Sequence, residues 1–368
     1  MKRAAWLAIA TILAATLPSA AQNYTSEELR IPMAAAGPRG LEALLIRPTG
    51  SGPYPLALIS HGAPRDGTTR PGMSANGLYR QGIEFARRGF AALIVMRRGY
   101  GTSGGEYAEN SGPCANRDYL RTARTSAADL RAAVQAMKNR TEVTTNGFIA
   151  VGVSAGGFAS IALTADPPQG LAAAISFAGG RGSRADNDVC DEDSLVGAFA
   201  ALGKTSRIPT LWIYAQNDKF FGPALAHRMH AAFTGAGGRA RLIDAAAFGE
   251  DGHSLFPRGV AIWTPVVDEF LRAQNLGRRD LLPPPIPAAL QPPPRLSEKG
   301  RAGFADFLAA GPHKAFAMSP QGAWAFRSRL QSAAEAQAKA LEECGKRAPN
   351  CVVYAVDDAL PAKADAAR

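Results

Sequence analysis

Three residues of this 368-residue chain have the types and the order needed to attack a carbonyl carbon. Ser154 ends the apolar run Phe148-Ile149-Ala150-Val151-Gly152-Val153 and is followed by Ala155-Gly156-Gly157, a pattern that reads as strand, sharp turn and helix start. Glycines at 152 and 156 let the backbone turn tightly and hold the serine hydroxyl above a sheet. Asp218 follows the buried-strand pattern of residues 208–215. His253 follows a further strand, 240–244, by way of Phe248-Gly249-Glu250-Asp251-Gly252. A serine hydroxyl is a poor nucleophile at neutral pH, so a histidine must take its proton and a carboxylate must fix that histidine's tautomer. Ser154, His253 and Asp218 are the expected nucleophile, base and acid. Asp244, Glu250 and Asp251 are rival acids, but they lie too close to the histidine's own loop for the usual strand-separated arrangement.

Acyl transfer also needs fixed N–H donors for the oxyanion of the tetrahedral intermediate. Ala155, directly after the nucleophile, supplies one. Upstream, the apolar strand 54–60 runs into His61-Gly62-Ala63. The strand 91–96 runs into Arg97-Arg98-Gly99-Tyr100-Gly101-Thr102-Ser103-Gly104-Gly105. With the order Ser, Asp, His, these motifs resemble the α/β-hydrolase superfamily, specifically its dienelactone-hydrolase-like and prolyl-oligopeptidase-like members, across residues 27–276. The resemblance implies a mostly parallel sheet with helices on both faces and assigns the second oxyanion donor to Ala63, with Gly62 as the alternative. It implies that His61 shapes the oxyanion turn rather than acting as a base. Dienelactone hydrolases proper use cysteine where this chain has Ser154, so dienelactone is not the expected substrate.

The other candidate sites have inert readings that fit better. His227 and His230 share a helix face, yet no carboxylate or cysteine joins them at metal-ligand spacing, and no metal is expected. Arg87-Arg88, Arg97-Arg98 and Arg278-Arg279 are isolated pairs without aromatic interleaving, read as surface charge rather than a nucleic-acid interface. Net charge of +10 is scattered and identifies no partner. Asp186, Asp188, Asp191, Glu192 and Asp193 fall in a polar segment, 180–207, read as a short lid with a solvated acidic loop.

The N-terminus, a Lys-Arg pair followed by a short apolar stretch and small residues near 21, reads as a secretory signal peptide over 1–21, which points to a periplasmic or secreted protein without a membrane anchor after cleavage. In that setting four cysteines read as two disulfides, with Cys114–Cys190 and Cys344–Cys351 favoured by their placement. The hydrolase region is expected over 22–276, a proline-rich, semi-rigid linker over 277–298 and a small α+β domain over 299–368. That last unit has two candidate roles, contact with envelope or polymer material and simple stabilising packing.

The sequence therefore predicts an exported serine hydrolase that cleaves a carboxylic ester through an acyl-enzyme intermediate, with no cofactor and a small-molecule ester or peptide-like substrate. The alternatives are a peptidase or amidase of prolyl-oligopeptidase type and a non-catalytic envelope-binding protein on the same fold.

Overall fold

The computed structural model describes residues 23–361, and the expected signal segment lies outside them. Strands β1 (Tyr24–Ile31) and β2 (Leu41–Pro48) open an eight-stranded sheet. Next come β3 (Tyr54–Ser60), helix α1 (Tyr79–Arg87), β4 (Ala91–Val95), α2 (Tyr119–Met137), β5 (Val143–Val153), α3 (Ala155–Ala165) and β6 (Leu171–Phe177). A hairpin of β7 (Ser183–Ala185) and β8 (Asp188–Val189) precedes α4 (Glu192–Gly203), β9 (Thr210–Ala215), α5 (Pro223–Gly235) and β10 (Ala240–Ala245). The short α6 (Leu255–Arg258) and α7 (Val260–Ala273) complete this part. Sheet order is β1-β2-β4-β3-β5-β6-β9-β10, antiparallel only where β2 pairs with β1 and with β4. This is the α/β-hydrolase arrangement that the motifs imply.

The parallel strands are apolar on both faces because both are covered. Ala57, Ile59, Ile94, Val151 and Ile175 face one core, with Phe85 of α1 and Trp263 of α7. Leu58, Leu93, Ala150 and Ala174 face the other, with Leu130 of α2 and Phe158 of α3. The chain reverses its direction across the sheet at β3, and loops from β3, β5, β9 and β10 meet at the strands' C-terminal edge, where such sheets place their ligands.

Segment 180–207 is only half a cover. Residues 183–189 form the hairpin, but α4 buries Leu195, Ala198, Phe199 and Leu202 in the core. That spacing is a helical apolar stripe, and the acidic first turn of α4 hides it in the sequence. Four of the five acidic residues are ion-paired rather than simply solvated: Asp186 meets Arg65 and Lys219, Asp188 meets Arg184, and Glu192 and Asp193 meet Arg228, while Asp191 accepts from the amides of Arg117 and Ser194. Cys114 is bonded to Cys190, and Cys344 to Cys351.

The C-terminal region contains α8 (Glu298–Leu308), β11 (Ala315–Met318), β12 (Trp324–Arg327), α9 (Ala333–Gly345) and β13 (Val352–Val356), with the three strands in a separate antiparallel sheet. Phe304, Phe307 and Phe316 pack at its centre, and Trp324 stacks on Phe316 with ring centroids 5.6 Å apart. This region does not stand apart on a free spacer. The proline-rich strap lies along α1, where Arg278 N and Leu282 N donate to Arg88 O and Arg87 O, both at 2.8 Å, and Tyr24 Oη donates to Pro283 O at 2.6 Å. Prolines bring carbonyl acceptors but no amide donors, so the strap's non-proline amides do the donating and Pro283 accepts from a neighbour. Beyond it, Gln331 Nε2 donates to Pro71 O and Met73 O, and His313 meets Glu28 at 2.7 Å.

A chain ending at residue 288 should therefore melt higher than one ending at 277. The longer form keeps Leu282 against the core and the strap's hydrogen bonds, worth about 1–2 kcal/mol together. Thermal melts of the two forms check this.

Candidate active site

Ser154 sits where β5 turns into α3, with φ 56° and ψ −124°, a conformation that L-residues avoid. The turn is over-determined. Ser154 N donates to Phe177 O at 2.9 Å, Gly180 N donates to Ser154 O at 3.2 Å, and Phe158 N closes the first helical turn on Ser154 O at 3.0 Å. A side chain at 152 would meet Gly156 O at 2.1 Å, and one at 156 would meet Ser60 O at 2.1 Å. Both glycines are thus required by contact, and the serine has the strained geometry that the motif predicts.

Asp218 is buried in the loop after β9. Its Oδ1 accepts from the amides of Phe220 at 2.7 Å and Phe221 at 2.9 Å, which fixes the carboxylate, and His253 Nδ1 lies 3.0 Å from Oδ2 and 3.2 Å from Oδ1. The rival acids lie elsewhere. Asp251 caps the turn at His253 by accepting from the amides of His253 and Lys219, and Asp244 pairs with His227 at 3.0 Å. That pairing gives His227 a carboxylate from β10 that helical spacing could not show. His230 turns instead to Ala240 O, and no cluster suited to a metal ion occurs among the described residues.

A cavity of about 440 Å³ opens over Ser154, with Ala63, Ala155, Arg181 and Phe220 in its wall. The amides of Ala63 and Ala155 donate to no protein acceptor among the described residues. His253 lies behind Phe220, ring on ring, with centroids 3.8 Å apart and planes 10° from parallel. No hydrogen bond joins Ser154 Oγ to His253 among the described residues. Such bonds are often long without substrate and tighten when it binds.

His61 is buried and held as the neutral tautomer. Nδ1 donates to Gly62 O at 2.6 Å, and Nε2 accepts from Arg97 N at 3.1 Å. Burial, and then the Arg97 charge, push its pKa down to about 3. It ties the Gly62-Ala63 turn to the end of β4.

The sequence reading missed the charge cluster below this turn. Arg97, expected at the surface, is fully buried, where it pairs with Glu109 and donates to Ser60 Oγ at 2.6 Å and His61 O at 2.8 Å. Glu109 also pairs with Arg181 and accepts from Tyr100 Oη and Ser126 Oγ. Burial alone would raise the Glu109 pKa, but Arg97 and Arg181 outweigh it and hold the carboxyl well below the usual range. Arg88 is likewise buried, paired with Glu84 and Asp268, and Arg98 pairs with Asp129. The signal available was position, since Arg97 directly follows the buried end of a parallel strand.

A family model for X-Pro dipeptidyl-peptidase (S15 family) matches residues 38–205, a span that includes Ser154 and ends before Asp218 and His253. No curated protein matches the chain in sequence. Among solved structures, the chain is similar to a dienelactone hydrolase-like promiscuous phosphotriesterase from metagenomic libraries, at 16% identity over 61% of this chain and 82% of that one, TM-score 0.44. It is also similar to Pyrococcus horikoshii acylaminoacyl peptidase, at 14% identity over 68% of this chain and 42% of that one, TM-score 0.48. A cold-adapted esterase from an Arctic intertidal metagenomic library is similar at 13% identity over 68% and 93%, TM-score 0.46.

The depressed pKa values of His61 and Glu109 carry a sign. A group whose pKa is lowered by folding stabilises the fold above its unfolded pKa and loses that contribution as pH falls towards its folded pKa. For His61 the loss begins near pH 6.5 and runs to about pH 3, with a limiting slope of about 1.4 kcal/mol per pH unit. For Glu109 it begins near pH 4.5 and adds to the first. Denaturant melts should show stability falling below pH 6.5, and His61→Gln should flatten the curve between pH 6 and pH 5; an unchanged slope would place the titrating group elsewhere.

Proposed function

We propose that this chain, a serine hydrolase of the α/β-hydrolase fold, cleaves a carboxylic ester with Ser154 as nucleophile, His253 as base and Asp218 as the acid that orients it. The observation that supports this reading is that a strained Ser154 and the Asp218–His253 pair lie on loops at the C-terminal edge of one sheet, with Ser154 beneath a cavity whose wall includes Ala63 and Ala155, the amides of which donate to no protein acceptor among the described residues. In this mechanism Ser154 Oγ attacks the ester carbonyl carbon while its proton passes to His253 Nε2, and Asp218 stabilises the imidazolium through Nδ1. The amides of Ala155 and Ala63 receive the oxyanion. Collapse of the tetrahedral intermediate releases the alcohol, protonated by His253. Water, activated by the same histidine, then hydrolyses the acyl-serine.

The cavity's charge favours an ester over a peptide with a free amino terminus. An exopeptidase that reads an α-ammonium group needs an unpaired carboxylate in its cavity, and the carboxylate in this wall, Glu109, is already neutralised by Arg97 and Arg181. Arg65, Arg70, Arg117, Arg181 and Arg184 line the cavity instead. Such a lining suits short, polar or negatively charged groups and disfavours a long acyl chain. Export through an amino-terminal signal fits the two disulfides, which persist in oxidising compartments. For the C-terminal region both roles stand, contact with envelope or polymer material and stabilising packing, and the bonds from Gln331 and His313 to the hydrolase region support the second.

Ser154→Ala should lower turnover of short-chain aryl esters by about a millionfold and leave the thermal melt intact, since the attacking oxygen is lost with little packing volume. The wild-type chain should turn over these esters faster than aminoacyl or prolyl amides. A preference for amides would move the reading to the peptidase, and near-normal turnover by the alanine variant would remove Ser154 from the mechanism.

A further inference from the structure

We propose that Arg65 is a positioning residue that holds the His253 imidazole in place through Phe220. The proposal rests on the reading of His253 as the base. The three side chains form one column. The Arg65 guanidinium lies 3.6 Å from the centroid of the Phe220 ring, and the opposite face of that ring lies nearly parallel against His253 at 3.8 Å. A histidine held by Asp218 at Nδ1 alone remains free to rock about that hydrogen bond, and a flat ring against its face removes this freedom. Phe220 is itself a half-buried loop residue, so its ring needs a support on the far side.

Arg65 is suited to give that support because its donors are already committed. Nε donates to Ser183 Oγ at 3.1 Å and Nη1 to Asp186 Oδ1 at 2.9 Å, while Nη2 reaches Ala185 O at 2.9 Å and Lys219 O at 3.1 Å. The guanidinium plane is thus fixed by the β7–β8 hairpin and by the residue preceding Phe220. A cation over an aromatic face adds attraction to this geometry. Arg65 also stands two residues beyond Ala63, so one side chain links the turn of the proposed oxyanion donor, the hairpin beside the cavity and the proposed base.

Kinetics of Arg65→Ala, Phe220→Ala and the double variant on a short aryl ester test this coupling. Each single change should lower kcat about tenfold, with KM within about twofold, because geometry at the base is loosened while the cavity stays open. The double variant should be no slower than Phe220→Ala alone, since both residues act on His253 along one route. Arg65→Lys, which keeps a cation over the ring, should recover part of kcat. Phe220→Leu keeps apolar volume without a flat face and should reproduce the loss in a chain that still folds. Losses that multiply in the double variant would overturn the proposal, as would a change confined to KM, which would make Arg65 a substrate contact. Wild-type kcat in a folded Arg65→Ala or Phe220→Leu chain would also overturn it. Fluorophosphonate labelling separates the two readings: absence of label on wild-type Ser154 defeats the proposed function, whereas normal labelling rates in both variants defeat only the column.

Discussion

Glu109, a single buried carboxylate, fastens together the loops that form the floor of the cavity. Arg97 reaches it from the end of β4, Arg181 from the loop after β6, Tyr100 from the glycine-rich turn and Ser126 from α2. Removing three charges from water costs several kcal/mol for each, and mutual pairing with satisfied hydrogen bonds only offsets that cost. The cluster is therefore better understood as a constraint on geometry than as a source of stability. Its consequence lies one step away, where Arg97 holds Ser60 Oγ, His61 O and, through its own amide, His61 Nε2. Those bonds set the path of the Gly62-Ala63 turn, and with it the place of Ala63 in the wall of the cavity over Ser154.

Against this fixed floor the strained turn at Ser154 is held by the sheet rather than by its own preferences. A left-handed serine costs on the order of 1–3 kcal/mol. The backbone bonds to Phe177 and Gly180 and the close approach at Gly152 and Gly156 leave no relaxed alternative that preserves β5 and α3. The Cys114–Cys190 bond works at the cavity's rim. It joins the segment that carries Glu109 to the hairpin that carries Arg65's partners, so the wall is tied covalently as well as by charge.

What could be read from the sequence follows from the range of each interaction. The elbow at Ser154, the strands around it and the placement of Asp218 and His253 rest on local patterns of apolar runs, glycines and strand ends, and each of these is written within about ten residues. Arg97 was misread because its partners Glu109 and Arg181 lie on irregular segments, and no periodicity marks a buried charge. Helix α4 was concealed by acidic residues that cap its first turn. In the C-terminal region α9, β11 and β13 have apolar patterns that the sequence displays. Helix α8 does not, although Ser297 caps it and Glu298 opens it, because it adjoins a proline-rich run and carries two glycines of its own. Strand β12 is only four residues long and follows a turn at Gly322, so no run of alternation marks it. The docking of the strap onto α1 depends on backbone carbonyls, which every sequence has, and so left no mark.

The central claim is that Ser154 carries a covalent acyl group during turnover. Mixing the purified chain with an excess of an aryl ester, following the released phenolate on the millisecond scale and digesting the acid-quenched protein for mass spectrometry tests it directly. The account predicts one acyl group per chain, found on the peptide that contains Ser154, and a pre-steady-state burst when deacylation is the slow step. Turnover with no acyl adduct under trapping conditions, or an adduct on another residue, would contradict it.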